Sequence, residues 1–173
     1  VLFRSHEIHR MHVGHVPEDR EKDGLVGQYS IANNMVLNRF DEPEFSRRGI
    51  RNMDAVNSHA TKLVEDFDVR TPSIKTPANS LSGGNKQKVV IARELSANPS
   101  LLIASQPTRG VDVGSIEFIH SQIISARDKG AAVLLVSAEL DEVLGDGLLL
   151  LKLLLFQEVL SVRHLVNGSL SLL

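Results

Sequence analysis

The chain has 173 residues, which is the length of one ordinary domain, and 42% of them are hydrophobic, which is enough for a packed core. Nineteen Lys and Arg residues against 21 Asp and Glu residues give a formal charge of −2, so the basic excess typical of nucleic-acid-binding domains is missing. The aromatic fraction of 4% argues against base stacking, and the lack of cysteine excludes disulfides, thiolate metal sites and cysteine nucleophiles.

Histidines recur at every third position near the start of the chain, at His6, His9, His12 and His15. Metal binding is one interpretation of this spacing. The favoured one is a disordered or foreign stretch over residues 1–12, because the histidines come without a completed ligand set. No metal site is therefore predicted. The chain begins without Met, and we expect it to be a piece of a longer protein.

The first half of the chain is predicted to be mostly helical and irregular. Residues 13–16 have the pattern of a short strand, and residues 17–24 form a charged loop with turn formers at both ends. Ser30 is a candidate N-cap for a short helix. Residues 54–67 predict a longer helix, because their apolar side chains follow a period near 3.6. A loop broken by two prolines follows, over residues 66–78.

The second half alternates helices with short apolar runs. A helix opens at residues 81–84, and residues 101–104 and 131–136 have the composition of buried parallel strands. Residues 115–129 predict a helix between these strands. The isoleucines expected on its inward face are Ile116, Ile119, Ile123 and Ile124. This order with short links is typical of a doubly wound α/β architecture.

The end of the chain is less regular. Residues 139–144 begin another helix, whereas residues 145–173 form a tail with no recognisable period. Its most apolar run, residues 148–156, is interrupted by Lys152 and falls short of the about 20 apolar residues of a membrane helix. No membrane span is therefore predicted.

The most informative stretch is Leu-Ser-Gly-Gly-Asn-Lys-Gln-Lys at residues 81–88, in which a Ser–Gly–Gly turn opens a helix. Glycines let backbone N–H groups approach a ligand, and a helix N-terminus favours an anion. Lys86 and Lys88 add positive charge one turn later. The same residues suit an ordinary helix N-cap followed by a glycine turn, so on their own they leave both interpretations open.

Together with the segments around it, this stretch resembles the ATP-binding subunits of ABC transporters. Residues 81–88 resemble the signature motif and residues 101–106 the Walker B strand. Val111-Asp112, at the end of the following Pro-Thr-Arg-Gly-Val-Asp sequence, resembles the D-loop. Residues 133–139 resemble the H-loop segment, and residues 13–24, with Pro-Glu-Asp-Arg and a following Gly-Leu-Val, the Q-loop region. The Pro-Glu-Asp-Arg and Ser-Gly-Gly-Asn-Lys-Gln-Lys sequences are similar to the second cassette of tandem ATPases that serve sugar and nucleoside importers.

The resemblance covers residues 13–144 and implies a P-loop NTPase-like α/β core fragment with parallel strands, preceded by an α-helical subdomain. It implies a helical subdomain over residues 25–80, which docks on the transmembrane subunit, and the C-terminal part of the core over residues 81–144. The Walker A pattern Gly-x-x-x-x-Gly-Lys-Ser/Thr, which precedes the Q-loop in this family, occurs nowhere in the chain. We expect that half of the domain to be missing through truncation.

Four positions depart from the family's pattern at the nucleotide site. Ser105 and Gln106 stand where the Walker B strand usually ends in Asp-Glu. Ala138 stands at the position of the H-loop His, and Glu18 at that of the Q-loop Gln. An uncharged Ser is a poor partner for hydrated Mg²⁺, and Gln cannot accept a proton as a base. The cassette's own site is therefore predicted to be degenerate.

ABC cassettes work in head-to-tail pairs, and each site joins the Walker motifs of one cassette to the signature of the other. The resemblance therefore implies that this chain completes its partner's site, with Asp112 in the D-loop. Gly84 is expected to tolerate no side chain, because a Cβ would stand between the backbone and the phosphate. The residues implied for nucleotide binding in trans are Ser82, Gly83, Gly84, Asn85, Lys86 and Gln87.

The chain is accordingly interpreted as a fragment of the ATP-binding subunit of an ABC importer for sugars or nucleosides. The implied cofactors are ATP and Mg²⁺ in the full-length transporter. The implied partners are permease subunits, the other cassette and, indirectly, a solute-binding protein, without nucleic acid, at the cytoplasmic face of the membrane. The alternative is a non-transport ABC-type ATPase module that acts in translation or DNA repair. The isolated chain is expected neither to bind ATP tightly nor to hydrolyse it.

Overall fold

A parallel sheet forms the centre of the computed structural model, which describes residues 10–138. Its strands are β1 (Val13–Val16), β4 (Leu101–Ser105) and β5 (Ala132–Val136), in the order β1-β4-β5. β1 pairs with β4 from Val13↔Leu101 onward, and β4 pairs with β5 from Leu101↔Ala132 to Ser105↔Val136. The three strands therefore end at one common carboxyl edge, and the parallel α/β core predicted from the sequence is confirmed.

The burial of the strands differs from the prediction at β5. Leu102 and Ala104 of the central strand β4 are fully buried. In β5, which was expected to be buried, Leu135 is buried but Val136 is 49% exposed. Within the described residues β5 lies at one edge of the sheet and β1, whose Val16 is fully buried, at the other.

The longest helices are α2 (Met53–Asp66), α3 (Gly83–Ser96) and α4 (Val113–Asp128), and a short helix, α1 (Ile31–Met35), precedes them. As predicted, Ser30 caps α1 by accepting a hydrogen bond from the backbone N–H of Asn33 at 3.2 Å. On α4, Ile119 and Ile123 are buried, whereas Ile116 and Ile124 are only half-buried, so the inward face is narrower than expected.

The structure contains short elements that were not predicted, among them a 3-10 helix at Ala78–Ser80. Residues 17–24 were expected to be a loop, yet Arg20–Gly24 forms a π-helical turn whose start is capped by Asp19. A small hairpin joins β2 (Ser46–Arg47) to β3 (Ile50–Arg51). Its two turn residues have φ angles of 52° and 79°, the positive values that a two-residue hairpin loop requires.

α3 is the element on which the others pack. It contacts β1, α1, α2, α4 and the π-helical turn, and most of its side chains from residue 87 to residue 94 are buried. One buried hydrophobic cluster joins the helical part of the chain to the sheet, with Phe45, Val56, Val90, Leu102 and Ile119 among its members. The two parts therefore share a core.

The remaining expectations about the chain ends lie mostly outside the described residues. These are residues 1–9, the helix expected from residue 139 and the tail over residues 145–173. Within residues 10–138, no helix is long and apolar enough to cross a bilayer. His12 is in the described part, where its carbonyl oxygen accepts a hydrogen bond from the backbone N–H of Ser100 at 2.8 Å.

Candidate functional site

The Ser–Gly–Gly turn forms the N-terminus of α3. The Ser82 hydroxyl oxygen accepts hydrogen bonds from the Asn85 backbone N–H at 3.4 Å and from Asn85 Nδ2 at 2.9 Å. Asn85 Oδ1 in turn accepts from the backbone N–H of Arg70 at 2.8 Å. The first N–H groups of an α-helix have no partners within the helix, and the turn formed by Ser82, Gly83 and Gly84 is a capped helix start of the kind at which anions are favoured.

The two glycines of this turn are needed for contacts within the chain. A Cβ on Gly84 would lie 2.5 Å from Asp112 Oδ2 and 2.6 Å from Ser115 Oγ. A Cβ on Gly83 would lie 3.0 Å from the carbonyl oxygen of Gly110. The sequence-based reason for Gly84, a clash with a phosphate, is therefore incomplete, because its Cβ position is already occupied by the residues that start α4.

Asp112 caps the helix beside the turn. Its Oδ1 accepts a hydrogen bond from the backbone N–H of Ser115 at 3.0 Å, and its Oδ2 accepts one from the Ser115 hydroxyl at 2.9 Å. The bonds from Ser115, first the backbone N–H and then the hydroxyl, hold the pKa of Asp112 below its usual value. The predicted D-loop residue is thus ionised and packed against the predicted signature turn.

The polar side chains that follow the turn are engaged within the chain. Lys86 Nζ lies 2.7 Å from Glu21 Oε1, and only 13% of the Lys86 side chain is exposed. The Lys86 ammonium group, by hydrogen bond and charge, lowers the pKa of Glu21. Gln87 is 1% exposed, so in this conformation its side chain faces the interior. Of the six residues predicted to act in trans, Ser82 is exposed and Gly83 is half-buried, whereas Gly84 is buried.

The four positions that differ from the family's pattern lie at the carboxyl edge of the sheet. Ser105 is the last residue of β4, and Gln106 follows it with a φ of 49° while its backbone N–H donates to the Val136 carbonyl oxygen at 2.7 Å. Glu18 and Ala138 each lie two residues beyond the end of their strand. Ligands of open α/β sheets bind at this edge, so all four positions lie where a ligand site is expected, and their roles there stay predictions.

This edge does not fit a magnesium ion. Mg²⁺ is usually held through carboxylates, and Glu18, the acidic member of the set, forms an ion pair with Arg109. Ser105, Gln106 and Ala138 carry no charge. Among residues 10–138 there is also no group of three His, Cys, Asp or Glu side chains that could hold a metal ion. No chemical step is therefore assigned to a metal at this edge.

A network around Arg20 was missed by the sequence analysis. Arg20 Nη1 donates to the carbonyl oxygen of Arg109 at 2.6 Å, and Nη2 donates to that of Gly110 at 3.1 Å. Arg20 is the last residue of the Pro-Glu-Asp-Arg sequence, whose resemblance to importer ATPases assigns no contact to this arginine. An arginine in a charged segment gives no local sign that its partners lie 89 and 90 residues away.

The sheet, the capped Ser–Gly–Gly turn and the adjacent Asp112 define a nucleotide-binding cassette fold, and the ABC transporter family model matches residues 2–109. The chain belongs to this family. It resembles a dimeric ATP-binding cassette in a post-hydrolysis state bound to ADP and Pi, with a TM-score of 0.61, 24% identity, and coverage of 75% of this chain and 53% of that one. It also resembles a dimeric bacterial ABC transporter cassette, with a TM-score of 0.62 and 23% identity. That match covers 79% of this chain and 56% of the other.

Curated relatives share more of the sequence. The chain is 53% identical over 141 residues to the nucleoside import ATP-binding protein NupA of Lactococcus lactis, covering 82% of this chain and 28% of that protein. It is 48% identical over 132 residues to the guanosine import ATP-binding protein NupO of Bacillus subtilis, covering 76% and 26%. It is 45% identical over 134 residues to the glucose import ATP-binding protein TsgD13 of Haloferax volcanii, and this match covers 76% of this chain and 24% of that protein. The chain thus spans 24–28% of the length of these relatives.

Proposed function

We propose that this chain is part of the ATP-binding subunit of an ABC importer for nucleosides or sugars, in which ATP binding and hydrolysis are coupled to solute uptake. The named functions of the relatives support this proposal, because they are import ATP-binding proteins for nucleosides, guanosine and glucose. The partners in the proposal are permease subunits, a second cassette and, indirectly, a solute-binding protein. The place of action is the cytoplasmic face of the membrane.

The observation that carries the finer proposal is the division of the site residues into two sets. Ser82, Gly83 and Gly84 start a capped helix and pack against an ionised aspartate. The carboxyl edge of the sheet instead presents Ser105 and Gln106, which supply neither a charge for Mg²⁺ nor a base. We therefore assign this chain to the second cassette of a tandem, with a degenerate site of its own and a signature turn that acts in trans.

The role of this chain in hydrolysis is then electrostatic. The N–H groups of Gly83 and Gly84 donate to the γ-phosphate oxygens of the nucleotide that the partner cassette holds, with ATP and Mg²⁺ as the cofactors of that site. The helix fixes these dipoles before the nucleotide arrives, so they need no reorganisation as negative charge develops. Lys86 contributes little charge to this site, because Glu21 neutralises it.

The test is uptake by the assembled transporter. The full reading frame that contains this chain is co-expressed with the neighbouring permease genes, reconstituted in liposomes, and supplied with the solute-binding protein and labelled nucleosides or sugars. ATP-dependent accumulation of one of these solutes is the expected result. An assembly that hydrolyses ATP but accumulates none of them, or a subunit that associates with ribosomes or DNA instead of a permease, would contradict the proposal.

A further inference from the structure

Three segments that lie far apart in the sequence meet at the guanidinium group of Arg20. Its two terminal nitrogens donate to consecutive carbonyl oxygens, those of Arg109 at 2.6 Å and Gly110 at 3.1 Å. Gly110 has a φ of 63°, a left-handed conformation that suits glycine and turns the loop at this point. The planar fork of an arginine matches such a pair of acceptors, whereas a lysine ammonium group is a single point.

The same guanidinium group lies against the signature turn. A Cβ on Gly83 would lie 2.9 Å from Arg20 Nη2 and 3.0 Å from the Gly110 carbonyl oxygen. The first residue of α3 is therefore in close contact both with Arg20 and with the loop that Arg20 holds. Two residues after that loop, Asp112 packs against Gly84.

Arg20 is itself held by the segment around it. One residue later, Glu21 pairs with Lys86 of α3 at 2.7 Å, and two residues earlier, Glu18 pairs with Arg109. At the other end of the π-helical turn, Arg93 Nη1 donates to the Gly24 carbonyl oxygen at 2.8 Å. Ion pairs of this kind are individually weak, but here they act with the bond from Arg93 to the Gly24 carbonyl oxygen to limit the movement of one short turn.

We propose that Arg20 is a positioning residue, which holds the turn Ser82–Gly84 and the loop over residues 107–110 in one fixed arrangement and so sets the geometry of the site completed in trans. This inference rests on the proposed function. Without the guanidinium group, the loop loses the donor shared by its two carbonyl oxygens, and Gly83 loses a fixed neighbour. A displacement of about 1 Å at groups that contact a reacting phosphate costs about 100-fold in rate.

The test compares Arg20→Ala, Arg20→Gln and Arg20→Lys in the full-length assembled transporter by measuring kcat and KM for ATP. We expect kcat to fall by about 10- to 100-fold in the alanine and glutamine variants. KM for ATP should change little, because the partner cassette holds most of the nucleotide. The lysine variant should recover only part of kcat, since an ammonium group cannot copy the two-pronged contact.

Arg127→Ala is the matched control, because Arg127 near the C-terminal end of α4 also makes a two-nitrogen contact, from Nε at 3.0 Å and Nη2 at 2.8 Å to Asp128 Oδ1, outside the helical subdomain and the site. It should leave kcat and KM for ATP unchanged.

If Arg20→Ala fails to assemble, the kcat of Arg20→Lys tests the role of Arg20. A wild-type assembly that transports solute, combined with an unchanged kcat in Arg20→Lys or with losses that appear only in KM, would overturn the role of Arg20. A wild-type assembly without uptake would instead contradict the proposed function.

Discussion

Gly84 and Asp112 are in direct contact, since a Cβ on Gly84 would lie 2.5 Å from Asp112 Oδ2. A methyl group at this position must therefore displace the aspartate that caps α4, whether or not a nucleotide is bound. The contact joins the Ser82–Gly84 turn to Asp112 within one chain, and it gives Gly84 a structural requirement beside the proposed one toward phosphate.

Gly84→Ala is predicted to destabilise the protein. Overpacking of this kind costs about 1–3 kcal/mol, and the displaced Asp112 side chain would also lose its bonds to Ser115. Thermal unfolding of the full-length subunit without nucleotide measures the effect. Gly114→Ala is the control, because a Cβ there has as its nearest neighbour Asp112 Oδ1 at 3.7 Å. Equal melting temperatures for the two variants would show that the Gly84 site has room for a side chain.

Ser82→Ala is predicted to lower ATP turnover beyond its effect on stability. The variant loses an N-cap, which costs about 1 kcal/mol, and it also loses a hydroxyl group at the proposed phosphate site. Asn52→Ala removes the N-cap of α2, where Asn52 Oδ1 accepts from the Ala55 N–H at 3.2 Å, away from that site. Unfolding and turnover are measured for both variants in the assembled transporter. We expect similar unfolding, with reduced turnover only in Ser82→Ala; reduced turnover in both would make Ser82 a cap alone.

Ser82→Arg is predicted to abolish most turnover. Its long side chain would begin at the exposed end of α3, where the partner's nucleotide is proposed to bind, and arginine is a poor N-cap. Removal of one hydrogen-bond donor at a reacting centre costs about 100-fold, and obstruction of the turn should cost at least as much. Turnover of the assembled transporter is the measurement. Full turnover would place the nucleotide elsewhere.

The double change Ser105→Asp with Gln106→Glu is predicted to add no measurable turnover. It restores two carboxylates at the carboxyl edge of the sheet, but Ala138 still supplies no imidazole, and Glu18 remains paired with Arg109. The comparison uses the wild-type transporter and a variant whose other cassette is inactivated, so that any new activity at this site becomes visible. Turnover in that second background would contradict a degenerate site.

His59 is predicted to make the protein less stable in mild acid. Burial first, and then the charge of Arg39, lowers the pKa of His59 from its usual value of 6.5. Nε2 is buried and has no hydrogen-bond partner within the described residues. Because the unfolded chain takes up a proton at a higher pH than the folded one, this contribution is present above pH 6.5 and is lost as the pH falls toward the lower pKa. The nearby carboxylates Glu42 and Glu44 act in the opposite direction.

Urea unfolding of the full-length subunit at a series of pH values between about 7 and 5 measures this effect. His59→Gln should reduce the loss of unfolding free energy over that interval. His15→Gln, which changes an exposed histidine, should leave the curve as it is. If both variants keep the wild-type slope, His59 does not carry the acid sensitivity.

The parts of the fold that could be predicted are those whose signals are local. α3 and β4 were found because a capped glycine turn and an apolar run are each complete within a few residues. The hairpin was missed because each of its strands has two residues, too few to show a period of two. The positions at the carboxyl edge of the sheet (Glu18, Ser105, Gln106 and Ala138) were predicted from the family's pattern. They lie at one edge because their strands are parallel.

The contacts that could not be predicted join residues that are distant in sequence. Nothing near Arg20 indicates that it binds Arg109 and Gly110, and nothing near Gly84 indicates that Asp112 occupies the space of its missing side chain. Lys86 was expected to add charge toward an anion, because a sequence shows the charge of a lysine but not the Glu21 that neutralises it. Such pairings appear only when the core has fixed the elements relative to one another.

The mechanical consequence of α3 follows from its length and its attachments. Its 14 residues make a rod of about 21 Å, and its glycines, Gly83 and Gly84, lie at the first turn. Near the C-terminal end of α3, Glu94 accepts a hydrogen bond from the His15 N–H of β1 at 3.1 Å, and Arg93 donates one to the Gly24 carbonyl oxygen. Because α3 also packs against α1 and α2, a displacement of these helices would shift α3 as one body and move the Ser82–Gly84 turn with it.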